Sequence, residues 1–583
     1  MQVEPGGAAN RGRMRGLNSL REPLSVFVRL ANPPSESAGG WEVIDDRGMR
    51  VLRRRLSPGT SGLIFSTLLG YPLDPRVYLL DADQEQVRVP SWVCFFRDYC
   101  GQDPTVLSAK PDQPGRATVV ALVDPMCHPE SWSSIAIAHV GGKERHVFRV
   151  VETHPALGPM AHGLEIPFRG GYRPVQIDGF RPLVVDEEGR ACVSVSPPPG
   201  RTIAFGFDPI YSLCQDTRQD SDAASAATNA NWVPVMLRMF AWAAPFAVWK
   251  SFWPADVPPL IYTVDTEAGS GYYDPARASC TWSIGRRFAR DRLDMKTEMS
   301  VPTAAQRLER HGLVGSFFVD LNAVRDEADR TALRKAARHH DVSLHLPRIG
   351  DHEAWKRTTS DSTATRDALR EAVFTLAREI AQPIGFRYPS WYRKSDTHDL
   401  VAEVGLGYDS SSLAHPPFLI VPYRMFSSAT GEPLDLWEFP CREVIGAVKA
   451  SSSIWLGWRT RGRHCGEIRR YLQSCATLSS LVVLCDHDMA LGASRRHVHG
   501  SWRLDARRLR TILQAARRTT KSGRLRPMRG SDFLRWWTST RQIRLESRTE
   551  PTSGGFRLTI TAQELSKDSL GATGGRSGEL PRN

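Results

Sequence analysis

From about residue 24 to residue 207, apolar and polar positions alternate in short runs, among them SVFVRL, ATVVALV, SIAIAHV, HVFRVVE and ACVSVSP, punctuated by Gly, Pro and Asp. Alternation with period two places successive side chains on opposite faces of an extended chain, so these runs predict strands and a β-rich N-terminal domain with few helices. Residues 215–231, QDTRQDSDAASAATNAN, hold no large apolar residue and predict a linker or exposed loop. The most apolar window follows at 239–249, MFAWAAPFAVW, bracketed by Arg238 and Lys250. It is about half the length that crosses a bilayer, so a buried or interfacial helix is expected and no transmembrane span.

After Pro259 the period changes. Strand-like LIYTV, VGSFFVD, DVSLHL, IGFRYP, GYDSSS, DLWEFP and LVVLCDH alternate with helix-like TAAQRLERHG, TALRKAARHH, RDALREAVFTLAREIA, THDLVAEVG, a stretch around 467–476, and LDARRLRTILQAARR. Strands separated by helices imply right-handed βαβ units and a mainly parallel sheet. About seven such units without a dinucleotide-binding glycine fingerprint predict a closed or partly closed barrel over an open sheet. The expected division is therefore a β-rich domain over 1–207, a linker and apolar helix over 208–254, a deformed (β/α)7-type barrel over 255–544, and a tail over 545–583. That tail holds one candidate strand, FRLTITA, and a Gly- and Ser-rich end expected to be partly disordered.

Composition narrows the class. A chain of 583 residues with 41% hydrophobic and 24% charged residues forms more than one globular core. The first residues have scattered arginines but no apolar stretch of signal-peptide length, so a cytoplasmic location is expected. Ten cysteines at irregular spacings, with no C-x-x-C pair, predict reduced and mostly buried thiols. The net charge of +13 points to nucleic acid until it is located: residues 455–544 hold twenty Lys and Arg against five Asp and Glu. The remainder is near balance, no aromatic-interleaved basic motif accompanies the excess, and solvated arginine-rich helix faces account for it, so no nucleic-acid partner is expected.

The informative polar residues fall at strand ends. Asp265 and Glu267 follow LIYTV, His345 ends DVSLHL, Arg387 ends IGFRYP, Asp409 lies in GYDSSS, and His487 ends LVVLCDH. In a βα barrel the C-terminal strand ends converge on one face, which brings such residues around one pocket. Each alone has an ordinary explanation: a structural histidine, a turn carboxylate, an arginine that pins a loop. Their order and spacing together are what distinguish them.

Taken as a set, residues 259–537 resemble the polysaccharide deacetylase (NodB-homology, carbohydrate esterase 4) family. Thr263-Val264-Asp265-Thr266-Glu267 is similar to that family's first motif, Thr-Phe-Asp-Asp. His340-Asp341-Val342-Ser343-Leu344-His345 is similar to the second. Arg387-Tyr388-Pro389 matches its Arg-x-Pro, the run from Gly405 to Ser411 its Gly-Phe-x-Tyr-Asp-Ser-Ser, Trp437-Glu438-Phe439-Pro440 a Trp/Glu-x-Pro strand, and Leu484-Cys485-Asp486-His487 its Leu-x-x-His.

The resemblance implies a metal-dependent hydrolase that removes an acyl group, an N-acetyl first of all, from a carbohydrate. A divalent metal, zinc by preference, polarises the carbonyl and activates a water. By the same resemblance Asp265 is the base, His487 the acid that protonates the leaving group, and Arg387 the group that orients the base through a bidentate pair. The metal falls to Glu267, His345 and His352, because Thr266 stands where the family has its second aspartate and no histidine lies four residues beyond His345. Trp391, Tyr392 and Asp409 are the expected substrate-binding residues. Two other functions are open at this point: a metal-free carbohydrate-binding or scaffold protein, and an amidase acting on a non-sugar C–N bond.

Overall fold

The computed structural model describes residues 145–266, 297–443, 447–449, 454–491 and 502–564 apart from short gaps, and ahead of them the separate stretches 24–30, 42–46, 49–56, 61–67, 76–80, 91–100, 105–107 and 120–123. The architecture is mixed α/β. In the N-terminal part, Leu24–Leu30, Glu42–Asp46 and Met49–Leu56 join Phe246–Lys250 in an antiparallel four-stranded sheet. Strands from Arg76–Leu80 to Ile203–Phe205 form a mixed eight-stranded sheet. The runs HVFRVVE and ACVSVSP become His146–Val150 and Ala191–Val195; SIAIAHV lies outside the described residues.

The stretch 215–231 differs from expectation. It folds as the end of helix Pro209–Arg218, helix Ala226–Ala230 and the approach to helix Trp232–Ala243, with Asp216, Thr217, Thr228, Asn229 and Asn231 buried. Polar side chains tolerate burial when their hydrogen bonds are made. Asn229 shows how: its Oδ1 accepts from Arg169 N at 2.9 Å while Nδ2 donates to Arg169 O and Asp216 Oδ2, both at 2.8 Å. The apolar window divides too, because the helix ends at Ala243 and a strand begins at Phe246 with Pro245 between them.

The C-terminal half is a curled sheet. Its strands are β1 (Pro259–Thr266), β2 (Gly315–Asp320), β3 (Asp341–Leu346), β4 (Gly385–Phe386), β5 (Tyr408–Asp409), β6 (Tyr423–Phe426), β7 (Pro433–Glu438), β8 (Arg442–Glu443) and β9 (Val482–His487). They lie in the order β6-β7-β5-β4-β3-β2-β1-β9-β8, and all pairings are parallel apart from β6 with β7. Every residue of β1, β2 and β9 is buried, as expected of parallel strands covered on both faces. The sheet curls round through residue 441. Ala414 N donates to Cys441 O at 2.7 Å and Cys441 N to Ser412 O at 2.8 Å, while the adjoining β8 pairs with β9.

Helices Thr297–Arg310, Glu327–Ala336, Ser362–Glu379, Thr397–Glu403, Ile454–Leu478 and Ala506–Lys521 occupy the predicted connections. Asp326 and Asp361 start two of them, each carboxylate accepting two backbone N–H groups of the first turn. Beyond residue 541 the candidate strand FRLTITA falls within Gly555–Glu564, and a further strand not expected from the sequence precedes it. Ile543–Thr552 and Gly555–Glu564 form a hairpin whose second strand pairs with Ser61–Thr67. No helix among the described residues is long and apolar enough to cross a membrane. The described cysteines are free thiols, all but Cys94 buried.

Candidate active site

Strand alternation decides which side chains meet inside the curl. On β1, Thr263 and Asp265 share a face; on β9, so do their register partners Cys485 and His487. On the other side, Ser343 Oγ of β3 lies 3.4 Å from the Tyr408 hydroxyl of β5, and Gly385 lies against the Tyr408 ring so closely that an added Cβ would come within 2.2 Å of it. Two residues further along each of these strands stand His345, Arg387 and Ser410. Asp265, His345, Arg387 and His487 thus sit on the inward face at the C-terminal edge of four strands.

Arg387 is the hub. Its side chain is fully buried and all of its N–H directions are used. Nε donates to Ser410 O at 2.8 Å, Nη1 to Asp265 Oδ1 at 2.6 Å and to Cys485 Sγ at 3.1 Å, and Nη2 to Thr263 Oγ1 at 2.8 Å and Ser410 Oγ at 2.9 Å. The partners are themselves held, Thr263 Oγ1 by donating to Leu484 O and Ser410 Oγ by donating to Phe439 O, both at 2.9 Å. The guanidinium lies over the Phe318 ring, its Cζ 4.4 Å from the ring centroid. Burial opposes the charge, but the Asp265 carboxylate, with Cys485 and Cys441 adding to it, holds the Arg387 pKa above its ordinary value.

The expected bidentate Arg387–Asp265 pair is a single contact, because Thr263 and Ser410 engage the second guanidinium nitrogen. The other oxygen, Asp265 Oδ2, faces the Cys485 thiol at 3.5 Å. Burial pushes that thiol's pKa well up, which keeps it a neutral S–H donor. Thr263, Ser410 and Cys485 were not singled out from the sequence. Thr263 and Cys485 stand two residues before Asp265 and His487, so the period-two rule applied backward from each candidate would have found them.

His345 is 2% exposed, and its Nδ1 lies 2.9 Å from Arg387 O. A carbonyl only accepts, so Nδ1 carries a proton, and in the neutral ring the lone pair is then on Nε2, the tautomer a metal-binding imidazole presents. His487 is 8% exposed and in register with Asp265. Asp486 points to the opposite face, where its carboxylate accepts from Tyr262 OH at 3.2 Å and from His487 N at 2.9 Å; it fixes the backbone of His487. His340 is buried in a structural role, with its Nδ1 accepting from Gly315 N at 2.9 Å.

Of the other expected residues, Glu267 and Trp391 lie outside the described residues. His352 begins helix His352–Thr358, and Tyr392 lies in strand Tyr392–Arg393. Asp409 is fully buried on the outward face of β5, with its Oδ1 accepting from Ser411 Oγ. It is in register with Glu438, whose Oε1 accepts from Ser412 N at 3.0 Å. Among the described residues no cluster of three potential ligands could hold a metal ion. The Thr266 hydroxyl, at the position the resemblance assigns to a metal ligand, is buried without a hydrogen-bond partner.

No family model and no curated protein matches the chain. Solved structures overlap it, and three of them illustrate the likeness. A protein assigned as a polysaccharide deacetylase from Mycobacterium smegmatis is 18% identical over 49% of this chain and 92% of its own, at a TM-score of 0.36. The carbohydrate deacetylase Agd3 is 9% identical over 85% of this chain and 97% of its own, at 0.32. The Xyl-CE4 domain of a multidomain xylanase from the hindgut metagenome of Trinervitermes trinervoides is 10% identical over 47% and 89%, at 0.23. Overlaps this distant carry no argument about activity.

Proposed function

We propose that this chain is a hydrolase that removes an acyl group, an N-acetyl first of all, from a carbohydrate. The observation that carries the reading is the inward convergence of Asp265, His345, Arg387 and His487, with the buried 2.6 Å contact between Arg387 and Asp265 at its centre. A buried ion pair contributes little net stability. Its place at the open edge of parallel strands is where such folds carry their chemistry.

In this reading Asp265 takes the proton of the attacking water, and Arg387 keeps the carboxylate aimed. His487 gives a proton to the leaving nitrogen or oxygen. The tautomer of His345 fits a divalent metal, zinc by preference, on Nε2, with Glu267 and His352 as its further ligands. When bound, such an ion polarises the acyl carbonyl and lowers the pKa of a water. Trp391 and Tyr392 are proposed to line the sugar-binding cleft; Asp409, expected with them, is fully buried and is not proposed to touch the sugar.

The unpartnered Thr266 hydroxyl favours one rival, a metal-free carbohydrate-binding protein. Metal analysis of the purified protein and acetate release from N-acetylglucosamine oligomers separate the readings. One metal per chain with acetate release supports the hydrolase. Oligosaccharide binding with neither metal nor turnover supports the rival, and turnover confined to non-sugar amides points to an amidase.

A further inference from the structure

Behind the candidate site lies a second set of buried carboxylates. Asp409 and Glu438 are register partners on β5 and β7, both 0% exposed, on the face of the sheet opposite Arg387. Each has one oxygen engaged, Asp409 Oδ1 by Ser411 Oγ and Glu438 Oε1 by Ser412 N. Each has one oxygen with no hydrogen-bond partner, Asp409 Oδ2 and Glu438 Oε2. Two adjacent buried carboxylates do not both ionise at low cost, and a proton held between them gives both remaining oxygens a partner.

The groups that face the pair are Arg393, which acts on both carboxylates, together with Cys441, Tyr388 and Tyr423. With one proton on the pair, its single negative charge matches the Arg393 guanidinium. Burial pushes Asp409 up to about 6, and burial together with the Asp409 charge pushes Glu438 well above the ordinary glutamate range.

What the pair holds is the serine turn 410–412. Ser412 N is tied to Glu438. Ser411 Oγ donates to Asp409 and accepts from Tyr388 N at 2.8 Å. Ser410, next along, gives two of the five contacts of Arg387, which in turn holds Asp265. We propose that Asp409 and Glu438 hold one proton between them and are positioning residues for the Arg387–Asp265 pair, acting through the turn 410–412. The catalytic part of this rests on the reading of Asp265 as the base.

Three proteins test it: wild type, Glu438→Gln and Glu438→Ala. Glutamine keeps an oxygen for Ser412 N and mimics the protonated acid; alanine removes both. Thermal unfolding is read from pH 6 to pH 9, crystal structures report the Arg387–Asp265 contact, and acetate release from an N-acetylglucosamine oligomer reports turnover. Carboxyl groups with raised pKa contribute stability that is lost as pH rises through their folded values, so wild type should lose stability across this range and Glu438→Gln should not. Glu438→Ala should lengthen the Arg387–Asp265 contact and lower kcat about 10- to 100-fold with little change in KM, while Glu438→Gln stays close to wild type.

An alanine variant with the contact and kcat intact overturns the proposal, as does a glutamine variant whose stability follows pH as wild type does. If the contact lengthens in the alanine variant but no protein releases acetate, the positioning holds and the carbohydrate reading fails.

Discussion

At the level of single residues the site is a problem of charge burial solved by a full set of partners. Breaking a buried pair leaves the remaining ion uncompensated, at a cost of about 3–5 kcal/mol. Asp265→Asn is therefore expected to destabilise the protein by that order in urea unfolding, and to lower kcat for acetate release by about 100- to 10,000-fold if the residue is the base. His398 offers a separate check. Burial, with the Arg393 charge adding to it, lowers its pKa to about 3. A histidine kept neutral in the fold but titrating near 6.5 when unfolded stabilises fully at neutral pH and loses that contribution as pH falls from 6.5 towards 3. The loss at pH 5 is on the order of 2 kcal/mol. His398→Phe should flatten that acid limb in pH-resolved thermal unfolding, and an unchanged limb would remove His398 as its source. Legibility at this scale followed exposure to pattern. Asp265, Arg387 and His487 were readable as strand-end residues, whereas the carboxylate pair was not. Glu438 stood in view within WEFP, but nothing in a single sequence pairs it with Asp409.

At the level of elements, parallel strands were the legible part because an all-apolar run closed by a polar residue has few other uses. β1, β2, β3 and β9 fall where LIYTV, VGSFFVD, DVSLHL and LVVLCDH put them. IGFRYP and GYDSSS shrink to two-residue strands, β4 and β5, and their lengths are set by tertiary contacts that no local pattern records. Gly385 is the sharpest of these. The ring of Tyr408 fills the space a side chain would take, and the ring in turn stacks on Phe439 at 4.8 Å between centroids. Gly385→Ala forces either β4 or Tyr408 to move, and overpacking of this kind costs about 1–3 kcal/mol. Because β4 leads directly into Arg387, activity should fall along with the urea midpoint. A fully stable variant would show that the ring moves aside freely. The stretch 215–231 failed as a linker for a related reason: its polar residues are satisfied by partners up to 210 positions distant, as Arg218 is by Ser428 O and Asn231 by Leu419 N.

For the whole molecule, the decisive contacts join segments that sequence reading assigned to separate parts. Lys250, expected to bracket an apolar helix, is fully buried, and its Nζ donates to Arg97 O at 3.2 Å, Arg541 O at 3.1 Å and Ile543 O at 3.0 Å. Arg541 extends the junction, with Nη1 donating to Asp98 O at 2.9 Å, Nη2 to Ser251 O at 2.6 Å, and its guanidinium 4.2 Å from the Trp537 ring. One side-chain nitrogen thus ties the N-terminal part, the strand Phe246–Lys250 and the start of the C-terminal hairpin. Methionine at 250 preserves most of the volume but leaves three carbonyls without their donor, and each unsatisfied buried group costs about 1–3 kcal/mol. Lys250→Met should therefore lower the urea midpoint substantially and make residues 543–564 cleavable by protease before the barrel strands are lost. If the variant instead unfolds at the wild-type midpoint in one step, the three carbonyls find water at no cost, and the junction is held by the Arg541 contacts and the pairing of Gly555–Glu564 with Ser61–Thr67.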